Sequence, residues 1–421
     1  MSARTVLDRC DELATVSALP GGLIERTYLT GEHAAANAMV AGWMAESGLE
    51  SRQDAAGNQC GRLEGAVPGL PALLLASHLD TVPRAGRYDG VLGVMIALEV
   101  AARVREHADR LPFALEVVGF GDEEGARFGA TLLGSRALAG TWDPAWWELT
   151  DAGGVSMREA FTAFGLDPAL IATAARRPHD LVGYLEAHIE QGPVLENRNR
   201  PLALVSSIAG ARRLLVTVTG RASHAITAPE SRRDALAGAS EAILAVESLA
   251  SAHELTATVG QLTVSPGAVN VVAGAATFSL DVRAASDSVR DAGLAVLLAE
   301  IEAICARRGL STAVEYTHTA GTVDCDPVMY TALEHAVRKV EGKGKDEAPI
   351  TLFSKAGHDA MAVAAVTGVG MLFVRCAGGV SHHPDESVTE ADVELAIDAM
   401  HTAVLGLATT FAADLHPVMI R

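Results

Sequence analysis

Residues 71–108, PALLLASHLDTVPRAGRYDGVLGVMIALEVAARVREHA, decide the fold class of this chain. The segment PALLLASHLD carries few charges, as expected for a strand of a parallel sheet that is covered on both faces. From Gly90 onward, apolar residues recur at helical spacing and polar residues gather only towards the end. Three polar side chains, His78, Asp80 and Asp89, lie where the predicted strand gives way to the predicted helix. A strand that leads directly into a helix indicates an α/β layer architecture.

The same alternation of strands and helices extends through residues 1–206 and resumes at about residue 323. FALEVVGFGDEEG (113–125) predicts a second buried strand that ends in acids, and GMLFVRC (370–376) predicts a third strand. A helix is predicted at about 327–341. A final helix is predicted over residues 389–412, where the hydroxyl of Thr389 can cap its first turn. These two stretches together predict one α/β catalytic domain, built from residues 1–206 and 323–421.

Residues 207–322 follow a different pattern and predict an inserted domain. Leu214, Val216 and Val218 alternate with more polar residues, which is typical of a half-exposed strand. Helical periodicity at about 232–252 and 286–308 alternates with strand-like stretches before, between and after the two helices. The order β-α-β-β-α-β is that of a ferredoxin-like domain. The chain is therefore expected to be a discontinuous α/β domain with a ferredoxin-like insert.

Composition excludes several classes of partner and site. The formal net charge of −19 disfavours binding to nucleic acid and to anionic membranes, because both carry negative charge. The five cysteines are scattered and form no CxxC pair, so we expect neither a disulfide framework nor a thiolate zinc site. We see no signal-peptide pattern and no uninterrupted apolar run of membrane-spanning length. We therefore expect a cytoplasmic protein with a small-molecule substrate.

Acids and histidines follow the predicted strands in four separate segments. These residues are His78 with Asp80 and Asp89, then Glu123 with Glu124, then His188 with Glu190 and Gln191, and finally His382 with His383. Taken singly, Asp89 is more typical of a helix cap, and we expect the N-terminal amides of the helix to hold its carboxylate. A lone histidine is more typical of packing, and the paired glutamates fit a solvated loop equally well. Because ligands of α/β sheets bind beyond the carboxyl ends of the strands, the four segments are expected to converge. Mixed imidazole and carboxylate ligands suit zinc or a similar divalent ion.

Motifs along nearly the whole chain, from about residue 20 to 410, carry a family resemblance. In chain order they are SHLDTVPRAGRYDGVLGV, DEEGARFGATLLGSRALAG, HIEQGPVLE, RRDAL, PGAVNVV, DVR, KAGHDA and GGVSHHPDE. Together they resemble the di-metal amidases that comprise N-carbamoyl-L-amino-acid hydrolases and allantoate amidohydrolases, within the aminoacylase and dipeptidase superfamily. The resemblance implies a metallohydrolase domain with an inserted dimerisation or lid domain, and hence a homodimer.

The resemblance also implies a ligand set for two divalent metal ions in each subunit. His78 and His188 would hold one ion, Glu124 and His382 the other, and Asp89 would bridge them. Zinc is the first expectation, with manganese, cobalt or nickel as alternatives, because all of them accept such ligands.

Catalytic and substrate-binding roles are implied in the same way. Glu123 would be the general base and Asp80 would support His78. The residues implied to contact the substrate are Gln191 at its polar end, Asn270 and Arg283 at its carboxylate, Gly357 through a close backbone approach, and His224 at the scissile carbonyl. In the family, the histidine that His224 matches often comes from the partner subunit.

Two departures from the family pattern bear on specificity and catalysis. The segment at His224 is HAITAPE where HAGTTPM is common, so that Ile226 and Glu230 replace a small and an apolar residue. Asp122 stands where asparagine is frequent, and we expect its charge to raise the pKa of Glu123.

The implied reaction is hydrolysis of the carbamoyl group of an N-carbamoyl-L-amino acid to ammonia, carbon dioxide and the free amino acid. One alternative is an allantoate or other ureido-acid amidohydrolase with the same metals and another pocket shape. A second is an N-acyl-amino-acid hydrolase or dipeptidase, and a third is a binding protein that keeps the fold without catalysis. Substrate panels distinguish the first two alternatives from a carbamoylase, and metal analysis distinguishes the third alternative from an enzyme.

Overall fold

The computed structural model describes residues 2–342 and 348–415, which form two compact units. Of the described residues, the first unit comprises 2–206, 325–342, 348–352 and 358–415, and the second comprises Ser207–Asp324 and Phe353–Gly357.

The sequence prediction assigned all of residues 323–421 to the catalytic domain, and the structure differs at two places. Val323 and Asp324 pair with Ile208 and Ser207 and belong to the second unit. The segment Phe353–Gly357 also belongs there, because Ala209 N donates to Ser354 O at 2.8 Å. A backbone contact with a residue more than a hundred positions away leaves no local sequence signal.

Helices and strands alternate along the chain. The helices are α1 (Ala3–Leu13), α2 (Gly31–Glu46), α3 (Val91–Val104), α4 (Leu133–Leu138), α5 (Met157–Phe164), α6 (Val194–Asn197), α7 (Ala235–Ala252), α8 (Asp287–Arg307), α9 (Pro327–Val340), α10 (Ala360–Val363) and α11 (Glu390–Leu415). The strands are β1 (Glu50–Gln53), β2 (Gln59–Leu63), β3 (Ala72–His78), β4 (Ala114–Phe120), β5 (Leu181–Ile189), β6 (Leu202–Ile208), β7 (Ala211–Thr219), β8 (Ser223–His224), β9 (Thr256–Thr258), β10 (Leu262–Ser265), β11 (Val271–Val272), β12 (Ala275–Arg283), β13 (Ser311–Thr319), β14 (Val323–Asp324), β15 (Ile350–Ser354) and β16 (Val369–Val374).

A mixed sheet forms the centre of the first unit. Its strands run in the order β1-β2-β4-β3-β5-β16-β6. The four central strands, β4, β3, β5 and β16, are mutually parallel, whereas their neighbours β2 and β6 run antiparallel to them. The sequence predicted the parallel core but not the antiparallel strands beside it. Parallel central strands bring their carboxyl ends to one edge of the sheet.

Helix α3 is buried over almost its whole length, from Val91 to Ala101 and at Val104. It contacts β3, β4 and β5 on one side and helices α1 and α11 on the other. A helix that is covered on both sides needs apolar residues all round, which explains why its sequence contains so few polar positions. This packing fixes the start of α3, and with it Asp89 and Gly90, at the edge where β3 ends.

The predicted helices and the predicted cap of the last helix are confirmed where the structure describes them. Segments 232–252, 286–308 and 327–341 contain α7, α8 and α9, and α11 begins inside the predicted segment 389–412 and ends at Leu415. The hydroxyl of Thr389 accepts a hydrogen bond from Asp392 N at 3.1 Å, as expected of an N-cap residue.

The second unit contains an antiparallel sheet in the order β10-β12-β7-β13, with β9 also paired to β12. Leu214, Val216 and Val218 are buried in its core, which confirms the predicted alternation. The β-α-β-β-α-β order is confirmed, except that its second strand is divided into β9 and β10. A further pair, β8 with β11, was not predicted, because two residues are too few for a periodic signal.

Two helices are long and apolar enough to cross a membrane by length and composition, namely Ala235–Ala252 and Glu390–Ala412. Core helices of globular domains meet the same criterion, so this is weak evidence. Residues of each helix lie in the hydrophobic core of its own unit, including Ala239 and Val246 in α7 and Ile397 and Val404 in α11. The absence of a membrane span therefore stays a prediction.

Arg26 is a buried cation that ties the end of α1 to the end of β3. The side chain is 2% exposed, and burial lowers its pKa to about 10. Its Nε donates to Leu79 O at 2.7 Å, and its Nη1 donates to Leu13 O at 3.2 Å and Val16 O at 3.1 Å. Since Leu79 lies between His78 and Asp80, these bonds hold the strand end that carries both residues.

We predict that Arg26→Met lowers the free energy of unfolding by about 3 kcal/mol, because it leaves buried carbonyls without a donor. Chemical denaturation measures this change. In the control Arg4→Met, the arginine side chain is 65% exposed, and we expect a change of less than about 0.5 kcal/mol. Equal effects of the two substitutions would contradict the assignment.

Candidate metal centre

The parallel strands of the first unit bring the predicted ligands to one edge of the sheet. His78 is the last residue of β3, and His188 is the penultimate residue of β5. Glu123 and Glu124 follow β4, and His382 follows β16. Because these four strands are adjacent and parallel, the segments that follow them converge.

The Asp89 carboxylate lies at the centre of this convergence. Its Oδ1 is 3.2 Å from His188 Nε2 and 3.9 Å from His78 Nε2. Its Oδ2 is 3.0 Å from His382 Nε2, which is also 3.3 Å from Glu124 Oε1. One buried carboxylate therefore contacts three imidazoles from three different strand ends.

Two groups of potential metal ligands share Asp89. His78, Asp89 and His188 form one group, and Asp89, Glu124 and His382 form the other. In each group, the ligand atoms lie within 4.8 Å of one another. This arrangement has the form that the sequence predicted for two ions and a bridging aspartate. The role of each residue as a ligand stays a prediction.

Hydrogen bonding of the imidazoles tests whether a cation fits. His78 Nδ1 lies 3.0 Å from Asp80 O, and His188 Nδ1 lies 2.9 Å from Ile189 O. A carbonyl oxygen only accepts, so each Nδ1 donates, and each neutral ring presents its Nε2 lone pair towards Asp89. The buried His188 Nε2 makes no hydrogen bond although Asp89 Oδ1 is close. A cation between the Nε2 lone pairs and the facing carboxylate stabilises both. An Nδ1–H that donates a hydrogen bond to the protein is typical of metal-binding histidines.

The pKa shifts indicate the same demand for positive charge. Burial raises the pKa of Asp89, but the His188 and His382 imidazoles outweigh it and hold that pKa well below its usual value. Asp89 and then Glu124 raise the pKa of His382 to about 10. The centre thus attracts positive charge, which a divalent ion supplies with all three imidazoles neutral.

The Asp80 carboxylate contacts the His78 ring, as predicted, and also two backbone N–H groups, which the sequence did not predict. Its Oδ1 is 3.4 Å from His78 Nδ1, in keeping with the predicted support of that ring. The same carboxylate accepts hydrogen bonds from the backbone N–H groups of both glutamates, at 2.9 Å for Glu123 and 3.1 Å for Glu124. Asp80 therefore holds the turn that directs Glu124 towards His382 and presents Glu123 beside it.

The environment of Glu123 suits a group that exchanges protons. Burial raises its pKa well above the usual value, and the charge of Glu124 raises it further, while His78 opposes both. A carboxyl with a raised pKa is a better proton acceptor and donor near neutral pH than an ordinary one.

Asp122 is 1% exposed, and burial raises its own pKa well above the usual value. The effect of the charge of Asp122 on the pKa of Glu123 stays a prediction.

The expectation that helix amides hold the Asp89 carboxylate is wrong. Gly90 occupies the N-cap of α3, and the Asp89 carboxylate contacts side chains instead. Apart from the imidazoles, Gln191 Nε2 and Ser381 Oγ each donate to Asp89 Oδ2 at 3.0 Å. Gln191 was predicted to contact the substrate, and that role stays a prediction, since its amide here supports Asp89.

Sequence reasoning missed a buried layer next to His188. The rings of His188 and His358 lie 4.5 Å apart, and Glu186 completes a third group of close ligand atoms. Ser77 Oγ and Tyr184 OH each donate to Glu186 at 2.8 Å. Asp359, which follows His358 in the chain, is also fully buried. The motif KAGHDA contained the signal, but only Gly357 was interpreted.

His224 and Asn270 lie together in the second unit. Strand β8 pairs with β11, so that Val271 lies opposite His224, and Ala225 N donates to Asn270 O at 2.9 Å. Ile226 N donates to His224 Nδ1 at 3.2 Å, which leaves the hydrogen of the neutral ring on Nε2. His224 can therefore donate a hydrogen bond to a carbonyl oxygen, as its predicted role requires.

Arg283, also in the second unit, is partly engaged by the protein. Its Nε and Nη2 donate to Asp281 at 2.8 and 3.2 Å, and its Nη1 donates to Lys355 O at 2.8 Å. A guanidinium has five N–H donors, so part of its capacity is available for a carboxylate. Gly357 is the last residue of the segment Phe353–Gly357. Substrate binding by both residues stays a prediction.

Gly90 has a positive φ of 66° and packs against the His78 ring. A Cβ at this position would lie 2.4 Å from three atoms of that ring. We predict that Gly90→Ala displaces His78 and lowers the bound divalent metal by about one ion per chain, as measured by elemental analysis.

The matched control is Gly69→Ala. Gly69 also has a positive φ, but no heavy atom lies within 4 Å of a Cβ added there. We expect it to keep the metal content of the unsubstituted chain. Normal metal content in folded Gly90→Ala would argue against a metal-binding role for His78.

Comparisons with known proteins agree with this geometry. The profile of Peptidase family M20/M25/M40 matches residues 74–406. Allantoate deiminase 1 of Glycine max is 40% identical over 414 residues, which cover 91% of this chain and 85% of that protein. N-carbamoyl-L-amino acid amidohydrolase of Geobacillus stearothermophilus is 39% identical over 402 residues, which cover 95% of this chain and 97% of that protein.

A solved structure is similar over almost the entire chain. It is an amidase of the hydantoinase/carbamoylase family from Burkholderia multivorans, with a TM-score of 0.87 and 31% identity over 97% of this chain and 98% of that one. Family membership and the two groups of potential ligands around Asp89 lead to one conclusion. The chain belongs to peptidase family M20/M25/M40, among its hydantoinase/carbamoylase amidases, and is a metal-dependent amidohydrolase that acts on C–N bonds.

Proposed function

We propose that this chain hydrolyses the carbamoyl group of N-carbamoyl-L-amino acids. The observation that carries the proposal is the match to the Geobacillus stearothermophilus amidohydrolase, which covers 95% of this chain and 97% of that protein. A match of this extent includes the four segments that carry the predicted metal ligands as well as the second unit. The products would be a free amino acid, ammonia and carbon dioxide.

The proposed cofactor is a pair of divalent ions. His78 and His188 would hold one ion, Glu124 and His382 the other, and Asp89 both, with zinc the first candidate and manganese, cobalt or nickel the alternatives. When bound, such ions polarise the scissile carbonyl and lower the pKa of the attacking water. The support for this assignment is the set of Nε2 atoms that face the Asp89 carboxylate.

Glu123 is the proposed general base and, later, the general acid. It accepts a proton from water as the water oxygen adds to the carbamoyl carbon, and it returns the proton to the leaving nitrogen as the C–N bond breaks. The remaining carbamic acid then loses carbon dioxide. The raised pKa of Glu123 and its backbone bond to Asp80 support this role.

The predicted substrate contacts belong to the same proposal. His224, with its hydrogen on Nε2, would donate to the scissile carbonyl oxygen. Asn270 and Arg283 would bind the substrate carboxylate, which a guanidinium binds through two parallel hydrogen bonds. Gln191 and Gly357 would contact the polar part of the substrate. A homodimer in the cytoplasm is the proposed setting.

Allantoate is the second candidate substrate, because allantoate deiminase 1 of Glycine max is 40% identical to this chain. Allantoate also combines a carboxylate with ureido groups, so the same metals and base would serve. The departures Ile226 and Glu230 are both exposed beside His224, where a difference in substrate would be recognised.

We predict hydrolysis of N-carbamoyl-L-methionine at a kcat/KM at least about tenfold above that for allantoate, N-acetyl-L-methionine or a dipeptide. Ammonia release measures the carbamoyl and ureido substrates, and release of free amino acid measures the acyl and peptide substrates. Tenfold corresponds to about 1.4 kcal/mol of differential transition-state binding. N-carbamoyl-D-methionine is the control for stereochemistry, and each substrate is assayed with zinc, manganese, cobalt and nickel. A preference for allantoate would favour the deiminase, and activity confined to acyl or peptide substrates would overturn both candidates.

We predict that Glu123→Gln retains two ions per chain and lowers kcat by about 10²- to 10⁴-fold, because it removes the proton-transfer group and keeps the shape of the side chain. Elemental analysis and ammonia release measure the two quantities. Asp385→Asn is the matched control, since that carboxylate side chain is 83% exposed, and it should leave kcat unchanged. Substantial turnover by Glu123→Gln would refute the assignment of the base.

A further inference from the structure

Glu386 is a buried acid that neither the ligand set nor the substrate contacts include. It lies four residues after His382 in the motif SHHPDES and is 3% exposed. Its neighbours across the structure belong to the loop that ends at Asp89. A buried carboxylate is costly unless its oxygens are fully hydrogen-bonded, so the contacts of Glu386 indicate what it does.

Both oxygens of Glu386 lie beside polar groups. Its Oε1 accepts hydrogen bonds from the backbone N–H groups of Tyr88, at 2.7 Å, and Asp89, at 3.1 Å. Its Oε2 lies 3.2 Å from the hydroxyl of Ser381, which also lies 3.0 Å from Asp89 Oδ2. One side chain therefore binds the backbone of Asp89 and, through Ser381, reaches the carboxylate of Asp89 as well.

The facing loop has space for this side chain only because residue 86 is a glycine. A Cβ on Gly86 would lie 2.3 Å from Glu386 Cδ and 2.4 Å from its Oε1. Such a distance requires displacement of the Glu386 carboxylate or of the loop. The glycine is an observation independent of the hydrogen bonds, and it indicates that the two loops are fitted to each other at this carboxylate.

His382 needs such external support. Its φ is 56°, in the left-handed region that is unfavourable for a residue with a side chain. Backbone of this kind persists where the surrounding structure holds it. Glu386 belongs to the same short loop, so its bonds to Tyr88 and Asp89 restrain that loop against the loop of Asp89.

We propose that Glu386 is a positioning residue that joins the loops of Asp89 and His382 and thereby forms the site of one ion, the one assigned to Asp89, Glu124 and His382. The inference rests on the proposed di-metal function. The site assigned to His78 and His188 depends less on Glu386, because those residues are held by strands β3 and β5.

The role depends on the length and acceptor geometry of the side chain and not on its charge. Glutamine at 386 keeps an oxygen for the two backbone N–H groups and places an amide beside Ser381, whose hydroxyl can still donate to Asp89. Aspartate keeps the charge but is shorter by one methylene and cannot span both contacts. Loss of a hydrogen-bond partner behind a metal ligand typically costs about 10- to 100-fold in metal affinity.

The test is a titration of the full-length, metal-depleted chain with cobalt(II), in which calorimetry gives the stoichiometry and visible absorption reports the ligand geometry. We expect two ions for the unsubstituted chain and for Glu386→Gln. We expect Glu386→Asp and Glu386→Ala to bind the second ion about 10- to 100-fold more weakly, with a changed visible spectrum and a smaller loss of affinity for the first ion. Circular dichroism of the metal-depleted variants verifies that each is folded.

Gly86→Ala provides a second test in which Glu386 is present but displaced. It should weaken the same ion, whereas Gly42→Ala, where the added Cβ meets no heavy atom within 4 Å, should bind both ions normally. This pair keeps the inference testable if Glu386→Ala does not fold.

Each outcome of the titration supports or overturns the inference. Retention of both ions and of the cobalt spectrum in Glu386→Asp and Gly86→Ala would overturn it. Rescue by aspartate but not by glutamine would also overturn it, because charge would then be the determinant. If the unsubstituted chain binds no second ion, the proposed di-metal function fails, and the role of Glu386 fails with it. If that chain binds two ions and every variant does as well, only the role of Glu386 fails.

Discussion

The Asp89 carboxylate, buried among three imidazoles, is the constraint on which the site depends. A carboxylate in this position is stable only with positive charge or hydrogen-bond donors close to both oxygens. Gln191 and Ser381 donate to this carboxylate, and the His188 and His382 rings lie within 3.2 Å of its oxygens, so two separate segments of the chain supply these contacts. Each of these segments follows or ends a strand of the parallel part of the sheet. The chemistry of one side chain therefore requires the order and direction of the central strands.

Backbone N–H groups held by carboxylates are a recurring feature around this centre. Asp80 holds the N–H groups of Glu123 and Glu124, and Glu386 holds those of Tyr88 and Asp89. In both cases, an acid that was not predicted to bind metal fixes the loop of one that was. Loops have few restraints of their own, so such bonds limit the movement of the predicted ligands they carry. The geometry of the centre thus depends on the residues behind the predicted ligands as well as on those ligands.

Asp89 and Glu123, two acids of the same centre, are suited to different tasks. The imidazoles lower the pKa of Asp89, which suits its proposed bridging role, whereas burial raises the pKa of Glu123, which suits its proposed role in proton transfer. The two carboxylates belong to the same centre and differ in their immediate partners. Different environments for similar groups allow one site to bind cations and to exchange protons.

The sequence by itself determined the fold class, the split order of the insert and the residue types at the strand ends. Periodicity and turn residues are local, and β3, β4, α3 and α11 follow from them. The family motifs added the ligand assignments, because residue type and order persist where spacing alone is ambiguous. Tertiary structure decided which groups meet. Asp89 and Glu386 are 297 positions apart, and the segment Phe353–Gly357 joined the second unit through bonds to distant backbone. The physical reason is that hydrogen bonds and close packing depend on distances of a few ångströms, which only the folded chain sets between residues remote in sequence.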